Sequence, residues 1–420
     1  MKNIVDDVKA MLDGAEEAVF EECCIYRVPS EIRRIKEEAY TPKVVSIGPL
    51  HHSSHPLSPL HNMEKHKLIY CKTFLQQRVK TPLEDLINYV QQIQPNFRRC
   101  YSEPLDFTHE QLVKMILVDS CFVIELFWRL FYDEWPVNDT YLLKPWLTTN
   151  IRLDLLLLEN QLPFFVLENM YNLCFRSACG VNKIHSFIEL TFDYFAYYNR
   201  SNLGFRNVRI SHFTDLIRIF HLQHPKERRS RRTDEPVIHL HSTTELVDAG
   251  VRFKVNTKSD CLLDLRFSGR VLEIPQLKVE DWTELLFRNM VALEQCHYPH
   301  ESYITDYVAV LDFLVNTSRD VDVLVRKRVL VNWLGDSGSV ANLFNSLWKN
   351  ITHMNFSSDY LSLCGDLNAF CSDPWHQLKA TLRHDYCNSP WQTAASVAGI
   401  VLLVLSLLQS VCSVLQVVHA

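Results

Sequence analysis

Glycine is scarce in this sequence. Only 10 of the 420 residues are glycine, about a third of the usual share of roughly 7%. Loops that cradle phosphate need glycine, because their backbone amides must approach the anion closely. Neither of the usual nucleotide-binding patterns, G-x-x-x-x-G-K-[ST] and G-x-G-x-x-G, occurs. The sequence therefore excludes nucleotide binding by these two routes.

Motifs for metal, redox and hydrolytic chemistry are also missing. The 13 cysteines form no C-x-x-C motif, so zinc ribbons and thioredoxin-like sites have no support, and we expect buried free thiols. The stretch GDSGS at residues 335–339 departs from the G-x-S-x-G nucleophile elbow. In HNMEKH, His61 and His66 diverge by about 140° around a helix, which disfavours joint metal binding with Glu64. We predict no catalytic, cofactor-binding or metal-binding residue.

Excess positive charge is absent as well. The formal net charge is -6 and the sequence pI is about 6.3, which argues against broad nucleic-acid binding. Acidic residues such as Asp6 and Asp7 interrupt the apolar positions near the N-terminus. This pattern predicts an amphipathic helix and not a secretory signal.

A long uncharged run lies near the other end of the sequence. Residues 394–418 contain no charged side chain, and this length exceeds the roughly 20 residues that a helix needs to cross a bilayer. We predict a single-pass, C-terminal membrane anchor in the plasma membrane or an endomembrane, with membrane lipid as a partner; a buried core helix is the alternative. Lys379 and Arg383 precede the run and favour a cytosolic body. Five N-x-S/T sequons become relevant if the body is on the other side: Asn138, Asn199, Asn316, Asn350 and Asn355.

Small and hydrogen-bonding residues recur within the predicted span at helical spacing. They are Ser396, Gly399, Ser406, Gln409, Ser413 and Gln416. We call these six positions the stripe. One-sided stripes of this kind favour pairing with another transmembrane helix, so a protein partner or an oligomer is expected there; incidental polar residues near the membrane surface are the alternative.

The rest of the chain, residues 1–390, has mostly helical periodicity. Thr108 and Gln111 form a T-x-x-Q capping box before an apolar helix that we expect to be buried on nearly all sides. A second helix is predicted to begin at Asp154 and to end or kink at Pro163. Alternating residues between 251 and 274 predict a short strand and a β-hairpin. The predicted fold is mainly α: a large helical domain with a small β-hairpin element and one C-terminal transmembrane helix.

Two connecting segments stand out from this helical pattern. Residues 224–236 are rich in arginine and lysine and predict a mobile basic loop; a nuclear-localisation or anionic-lipid patch is the alternative. Residues 39–52, AYTPKVVSIGPLHH, combine proline, glycine and β-branched residues. We predict an extended segment with its valines packed inward.

Several long stretches resemble a known plant family, domain of unknown function 247. They are CIYRVP, YTPKVVSIGPLHH, MEKHK, LLLLENQLPFFVL, STTELVDAGVRF, LLDLRF with LEIPQL, RNMVALEQC and SPWQTAASVAG. The resemblance extends over nearly the whole chain. It implies a plant protein with a C-terminal membrane segment and no established activity, and it supplies no catalytic residues. Some grass members are implicated as pollen-side self-incompatibility determinants, which implies protein recognition at a cell surface.

The leading hypothesis is therefore a non-enzymatic, membrane-anchored recognition or signalling protein of plants, related to pollen self-incompatibility determinants. A hydrolase with catalytic residues scattered in the sequence is one alternative. A structural or trafficking membrane component is another.

Overall fold

The structure is a computed structural model that describes residues 2–13, 22–52, 60–135, 142, 144–175, 184–233, 235, 239–352, 355–373 and 390–418. The chain divides into two compact units. Unit 1 comprises Met1–Arg229, Trp282–Thr305 and Lys349–Thr352, and unit 2 comprises Ser230–Asp281, Asp306–Trp348 and His353–Ala420.

The regular secondary structure in the described part of unit 1 is mostly helical. Its α-helices are α1 (Lys2–Asp13), α2 (Ser30–Arg33), α3 (His61–Gln77), α4 (Leu83–Arg99), α5 (His109–Tyr132), α6 (Pro145–Asp154), α7 (Phe164–Phe175), α8 (Phe187–Tyr194), α9 (Phe213–His221) and α11 (Thr283–His297), with 3-10 turns at Glu37–Ala39, Ala196–Tyr198 and Lys226–Arg228. Helix α1 exposes Ile4, Val8 and Met11, and its position confirms the amphipathic helix predicted there.

Helix α5 is the centre of unit 1. It packs against α3, α4, α7 and α8, and its side chains are buried continuously on every face between Met115 and Arg129 except at a single half-exposed position. The ring of Phe127 stacks on Tyr194 with the centroids 4.1 Å apart. The helix begins with the predicted capping box, in which the Thr108 hydroxyl accepts the Gln111 amide hydrogen. Both the cap and the all-round burial of α5 are confirmed.

Unit 2 combines helices with two small sheets. Its helices are α10 (Thr243–Asp248), α13 (Ser318–Arg326), α14 (Ser337–Leu347), α15 (Ser358–Ser372) and α16 (Pro390–Val418), together with most of α12 (Tyr303–Leu314). Its strands are β1 (Arg252–Val255), β2 (Arg266–Ser268), β3 (Val271–Ile274), β4 (Leu277–Val279) and β5 (Leu330–Asn332).

The predicted β-hairpin is formed by β2 and β3. These strands are antiparallel, and Ser268 pairs with Val271 across the turn. Gly269 occupies the turn with a φ of +64°, a conformation that glycine adopts without steric cost. Strand β1 joins β3 in parallel, and β4 pairs with β5 in parallel in a second sheet. Sequence periodicity did not indicate these parallel pairings.

The prediction that a helix begins at Asp154 is wrong. Asp154 is the last residue of α6, and residues 155–163 are not helical. The Asn160 side-chain amide donates to the Asp154 carbonyl, and the Gln161 amide donates to the carbonyls of Leu155 and Leu157. These side chains occupy carbonyls that a helix would have used for its own backbone bonds.

Candidate functional site

Helix α16 exposes apolar side chains along its length. Its segment Ala394–Ser413 has a mean hydropathy of 2.2 and is not buried, so it is long and apolar enough to cross a membrane. A core helix of a soluble protein meets the same compositional test but is mostly buried. The exposed large apolar side chains of this segment are Val397, Ile400, Val401, Leu402, Leu403, Val404, Leu405, Leu407, Leu408 and Val411.

All six stripe positions lie on α16, because the helix runs from Pro390 to Val418. At 100° per residue they fall within an arc of about 160°. Ser396 and Gly399 are half-exposed, whereas Ser406, Gln409 and Ser413 are exposed; the side chain of Gln416 lies outside the described ones. A Cβ added at Gly399 would meet no atom within 4 Å. The backbone is therefore open to close approach at this position.

The irregular segment at residues 43–48, which we call the strap, is held by side chains distant in sequence. Asp154 accepts the backbone amide hydrogens of Lys43, Val44 and Val45 at 2.9, 2.7 and 2.8 Å. Burial raises the pKa of Asp154 to about 6, although the three amide donors and Lys43 act in the opposite direction. One carboxylate thus satisfies three consecutive backbone amides, which requires a bent backbone at residues 43–45.

Asn160 continues this arrangement toward the middle of the strap. Its side-chain oxygen accepts the Ile47 amide hydrogen at 2.7 Å, and its side-chain nitrogen donates to the Val45 carbonyl at 3.0 Å. Val45 and Ile47 are buried, and Val44 is half-buried. The predicted inward packing is confirmed for Val45, whereas bends at residues 43, 44 and 48 interrupt the predicted extended path.

A buried ion pair secures the end of the strap. Lys67 on α3 donates to the Asp119 carboxylate at 2.5 Å and to the Ser46 carbonyl at 2.8 Å. The other Asp119 oxygen accepts the Gly48 amide hydrogen at 2.8 Å. Burial alone would lower the pKa of Lys67, but Asp119 and Glu64 outweigh burial and raise it. The pair is thus hydrogen-bonded on both sides, as a buried charge requires.

The buried Glu159 carboxylate binds several groups of neighbouring segments of unit 1. It accepts the Val28 amide hydrogen at 2.9 Å and pairs with Arg33 at 2.7 Å. His51 Nε2 lies 2.9 Å from the same carboxylate. Burial would raise the pKa of Glu159, but His51, the Val28 amide and Arg33 together hold it below its usual value. The charge of Glu159 is therefore used to join segments of unit 1.

His212 joins two further segments by means of both ring nitrogens. Nδ1 accepts the Asp215 amide hydrogen at the start of α9, and Nε2 lies 3.0 Å from the Cys24 carbonyl. A neutral ring with its proton on Nε2 satisfies both contacts. Burial lowers the pKa of His212 to about 4, so this neutral form is the one present at neutral pH.

The histidines near residues 51–66 do not converge. His61 is the first residue of α3, Glu64 pairs with Lys67 at 2.7 Å, and His66 contacts the Asn62 carbonyl on its own helix. His55 lies outside the described residues. Across the part of the chain that the structure describes, no group of three His, Cys, Asp or Glu side chains is placed to hold a metal ion.

The GDSGS stretch begins a helix. Asp336 caps α14 by accepting the Ser339 amide hydrogen at 2.7 Å, and the Ser337 hydroxyl donates to Asp322 at 2.6 Å. Both serine contacts are local to the start of α14 and its neighbour α13. This geometry is that of a helix cap, as expected for a polar turn.

The basic segment 224–236 contributes one partly buried arginine to unit 2. Arg232 pairs with the buried Asp306 carboxylate at 2.5 Å and donates to Asn355. Asp234 and Pro236 lie outside the described residues. The mobility of this loop stays a prediction.

Sequence reasoning missed the residues that organise unit 1, namely Lys67, Asp119, Asp154, Glu159, Asn160 and Gln161. All six are buried. Most of them stand inside apolar runs, such as LLLLENQLPFF and MILVDSCFVIELF. A polar residue within an apolar run could have indicated these positions. Such a residue is expected to be buried, and a buried polar group almost always has a hydrogen-bond partner.

Comparison with known proteins decides the family. A family profile described as "Plant protein of unknown function", DUF247, matches residues 25–405. The chain belongs to this plant family. The strap and the Glu159–Asn160 segment, two of the stretches on which the DUF247 resemblance rested, bind each other directly in unit 1.

Two relatives of this chain come from Arabidopsis thaliana. UPF0481 protein At3g47200 is 29% identical over 432 residues, covering 96% of this chain and 88% of the relative. Putative UPF0481 protein At3g02645 is 24% identical over 481 residues, covering 92% of this chain and 89% of the relative. No solved structure matches the chain.

Proposed function

We propose that this plant protein is a non-enzymatic recognition or signalling protein anchored in a membrane by α16. The observation that supports the proposal most strongly is that no residue of the apolar segment Ala394–Ser413 is buried. Its partners are membrane lipid and another protein. Kinship with pollen self-incompatibility determinants belongs to the same proposal, because it too requires recognition between proteins at a membrane.

Lipid contact follows from the energetics of the exposed segment. Ten large apolar side chains of α16 are exposed to between 49% and 68%. Moving half-exposed side chains of this kind out of water favours the transfer by roughly 1 kcal/mol each, or on the order of 10 kcal/mol together. A bilayer removes all of them from water at once, whereas a packed core would already have buried them.

The way in which unit 1 uses its buried carboxylates supports the proposal of a non-enzymatic role. Asp154, Glu159 and Asp119 each bind backbone amides or cations of neighbouring segments. Bonds of this kind stabilise the fold and leave the carboxylates without a free role in acid–base chemistry.

The anchor is tested by alkaline extraction of membranes from cells that express the full chain. Wild type should stay in the pellet, and Leu403→Arg with Leu407→Arg should move to the soluble fraction, because each arginine at the centre of a span costs about 2.5–3.5 kcal/mol. The matched control is Leu68→Arg with Ile69→Arg, which alters two side chains of α3 that are each 56% exposed and should stay in the pellet. Release of the wild-type chain would refute the anchor.

The side of the membrane is tested by glycosylation. Asn316 is exposed, whereas the side chain of Asn355 is bound to Arg232, so Asn316 is the better acceptor. A cytosolic body predicts no mobility shift with endoglycosidase. A shift that Asn316→Gln abolishes would instead place the body on the lumenal or extracellular side.

Pairing of α16 is tested by crosslinking in detergent and in vesicles. Replacing Gln409 and Gln416 with leucine should weaken pairing, because polar contacts between transmembrane helices contribute about 0.6–2 kcal/mol each. Val404→Leu, on the opposite side of the helix, is the control and should leave pairing unchanged. Equal pairing in all three proteins would remove the stripe as an interface.

A further inference from the structure

Unit 1 contains a cavity whose wall carries three thiols. Its volume is about 360 Å³, and its lining includes Cys23, Cys24, Cys100, His297 and Ser211. None of the three cysteines belongs to the strap or to α16. The cavity is therefore a feature that the anchoring role leaves unexplained.

Cys24 and Cys100 are neighbours because backbone hydrogen bonds connect their two segments. The amides of Cys24 and Ile25 both donate to the Cys100 carbonyl, at 3.0 and 2.9 Å, and Ile25 pairs in parallel with Tyr101. Cys24 precedes Ile25 and Cys100 precedes Tyr101, so the two cysteines lie next to each other across this parallel pairing. Paired strands lie about 4.8 Å apart, and disulfides form across Cα separations of about 4.4–6.8 Å. Neighbouring positions of this kind are compatible with a disulfide.

The two thiols are chemically unequal. The interaction between the two side chains lowers the pKa of the Cys100 thiol and raises that of the Cys24 thiol, which burial raises further. Because Cys100 has the lower pKa of the two, we assign it the nucleophilic role and Cys24 the resolving role. In its own thiol form Cys100 donates to the Asn96 carbonyl at 3.3 Å. A thiolate next to a protonated thiol is the usual arrangement of a peroxide-reactive pair.

We propose that the cavity is a redox modification site in which a hydroperoxide oxidises Cys100 and Cys24 then closes a disulfide with it. The Cys100 thiolate attacks one peroxide oxygen, the O–O bond breaks, and the other oxygen leaves as an alkoxide or hydroxide that takes up a proton. Cys100 is then a sulfenic acid. The Cys24 sulfur attacks the sulfenic sulfur, the S–O bond breaks, and water leaves with the Cys24 proton. One hydroperoxide is reduced for each pair of thiols oxidised.

The chain provides a matched pair for comparison. The side chains of Cys71 on α3 and Cys121 on α5 also interact, and this interaction lowers the pKa of Cys71. Cys121 is fully buried, and neither sulfur lines the cavity. The two pairs therefore share the thiol contact and differ in access to the cavity.

The test uses the full chain in detergent micelles, reduced, freed of reductant and exposed to hydrogen peroxide. Remaining thiols are alkylated, and linked peptides are identified by mass spectrometry. We expect the Cys24–Cys100 link to form at least about tenfold faster than any Cys71–Cys121 link, because the cavity admits peroxide to the low-pKa thiol. Equal rates for the two pairs, or no Cys24–Cys100 link in the folded protein, would overturn the proposal.

Variants separate the two steps. Cys24→Ser should leave Cys100 as a sulfenic acid that dimedone traps, whereas Cys100→Ser should abolish both trapping and the link. Cys71→Ser should leave the rate of the Cys24–Cys100 link unchanged. Oxidation by glutathione disulfide but not by hydrogen peroxide would overturn the assignment of a hydroperoxide. Since the rate comparison between the pairs is made on the wild-type chain, it does not depend on any variant folding.

Discussion

Gly48, at the end of the strap, offers the sharpest test of how unit 1 is held together. Its φ is +75°, and a Cβ built there would lie 2.4 Å from the Gln161 carbonyl oxygen and 3.2 Å from the Tyr101 hydroxyl. The contacted carbonyl belongs to the backbone and already accepts the Tyr101 hydroxyl at 2.8 Å. Gly48→Ala therefore forces the strap to move away from Gln161.

The size of the effect follows from three contributions. The left-handed conformation costs a non-glycine residue about 1–2 kcal/mol. Overpacking against a fixed backbone atom costs about 1–3 kcal/mol. Movement of the strap also weakens the bond from the Gly48 amide to Asp119, 2.8 Å in the native chain, and bonds to charged groups contribute about 1.5–3 kcal/mol. We expect Gly48→Ala to destabilise unit 1 by about 3–6 kcal/mol, a large part of a typical total of about 5–15 kcal/mol.

Two other glycines isolate these contributions. Gly269 has a φ of +64° with no atom within 4 Å of an added Cβ, so Gly269→Ala carries only the conformational cost. Gly365 lies inside α15 with neither problem, and Gly365→Ala should stabilise by about 0.5–1 kcal/mol.

The assay is urea unfolding of the detergent-solubilised full chain, followed by hydrogen exchange of peptides from each unit. Peptides from unit 1 report on Gly48→Ala, and peptides from unit 2 report on the other two variants. A cost for Gly48→Ala no larger than that for Gly269→Ala would refute the close contact with Gln161 and the reasoning built on it.

Three further predictions use the same unfolding measurement. Because burial lowers the pKa of His212 from 6.5 to about 4, only the unfolded chain gains this proton between those pH values; stability falls as the pH falls through that window, by at most about 3.4 kcal/mol. His212→Asn should remove that part of the acid sensitivity, so its stability deficit at pH 7 should narrow at pH 4.5; a constant deficit would contradict it. Lys67→Met should cost about 3–5 kcal/mol by leaving the Asp119 charge buried alone, and adding Asp119→Asn should recover part of that loss; a double variant no more stable than the single one would count against the pair. Thr108→Ala should destabilise α5 by about 1 kcal/mol, whereas Thr108→Ser, which keeps the capping oxygen, should be nearly neutral; an equal cost for both would argue against the cap.

The sequence by itself determined the features that depend on neighbours along the chain. The capping box at Thr108 and Gln111 and the hairpin around Gly269 need only residues a few positions apart. The apolar helix α16 likewise follows from an unbroken run of uncharged residues. Local periodicity and turn chemistry encode such features directly, and the stripe on α16 is part of the same local pattern.

Tertiary structure alone decided the rest. The sequence predicts an extended path for the strap but not its bends, and its partners Asp154, Asn160 and Asp119 lie between 71 and 113 residues away in sequence. The segment after Asp154 has helical periodicity, yet its own Asn160 side chain occupies the Asp154 carbonyl that a helix would have used, and a distant strap amide binds the Asn160 side chain. Bonds between distant residues leave no period in the sequence, because their geometry exists only once the chain has folded. For the same reason no spacing rule brings Cys24 and Cys100 together, since only the pairing of Ile25 with Tyr101 places the two thiols side by side.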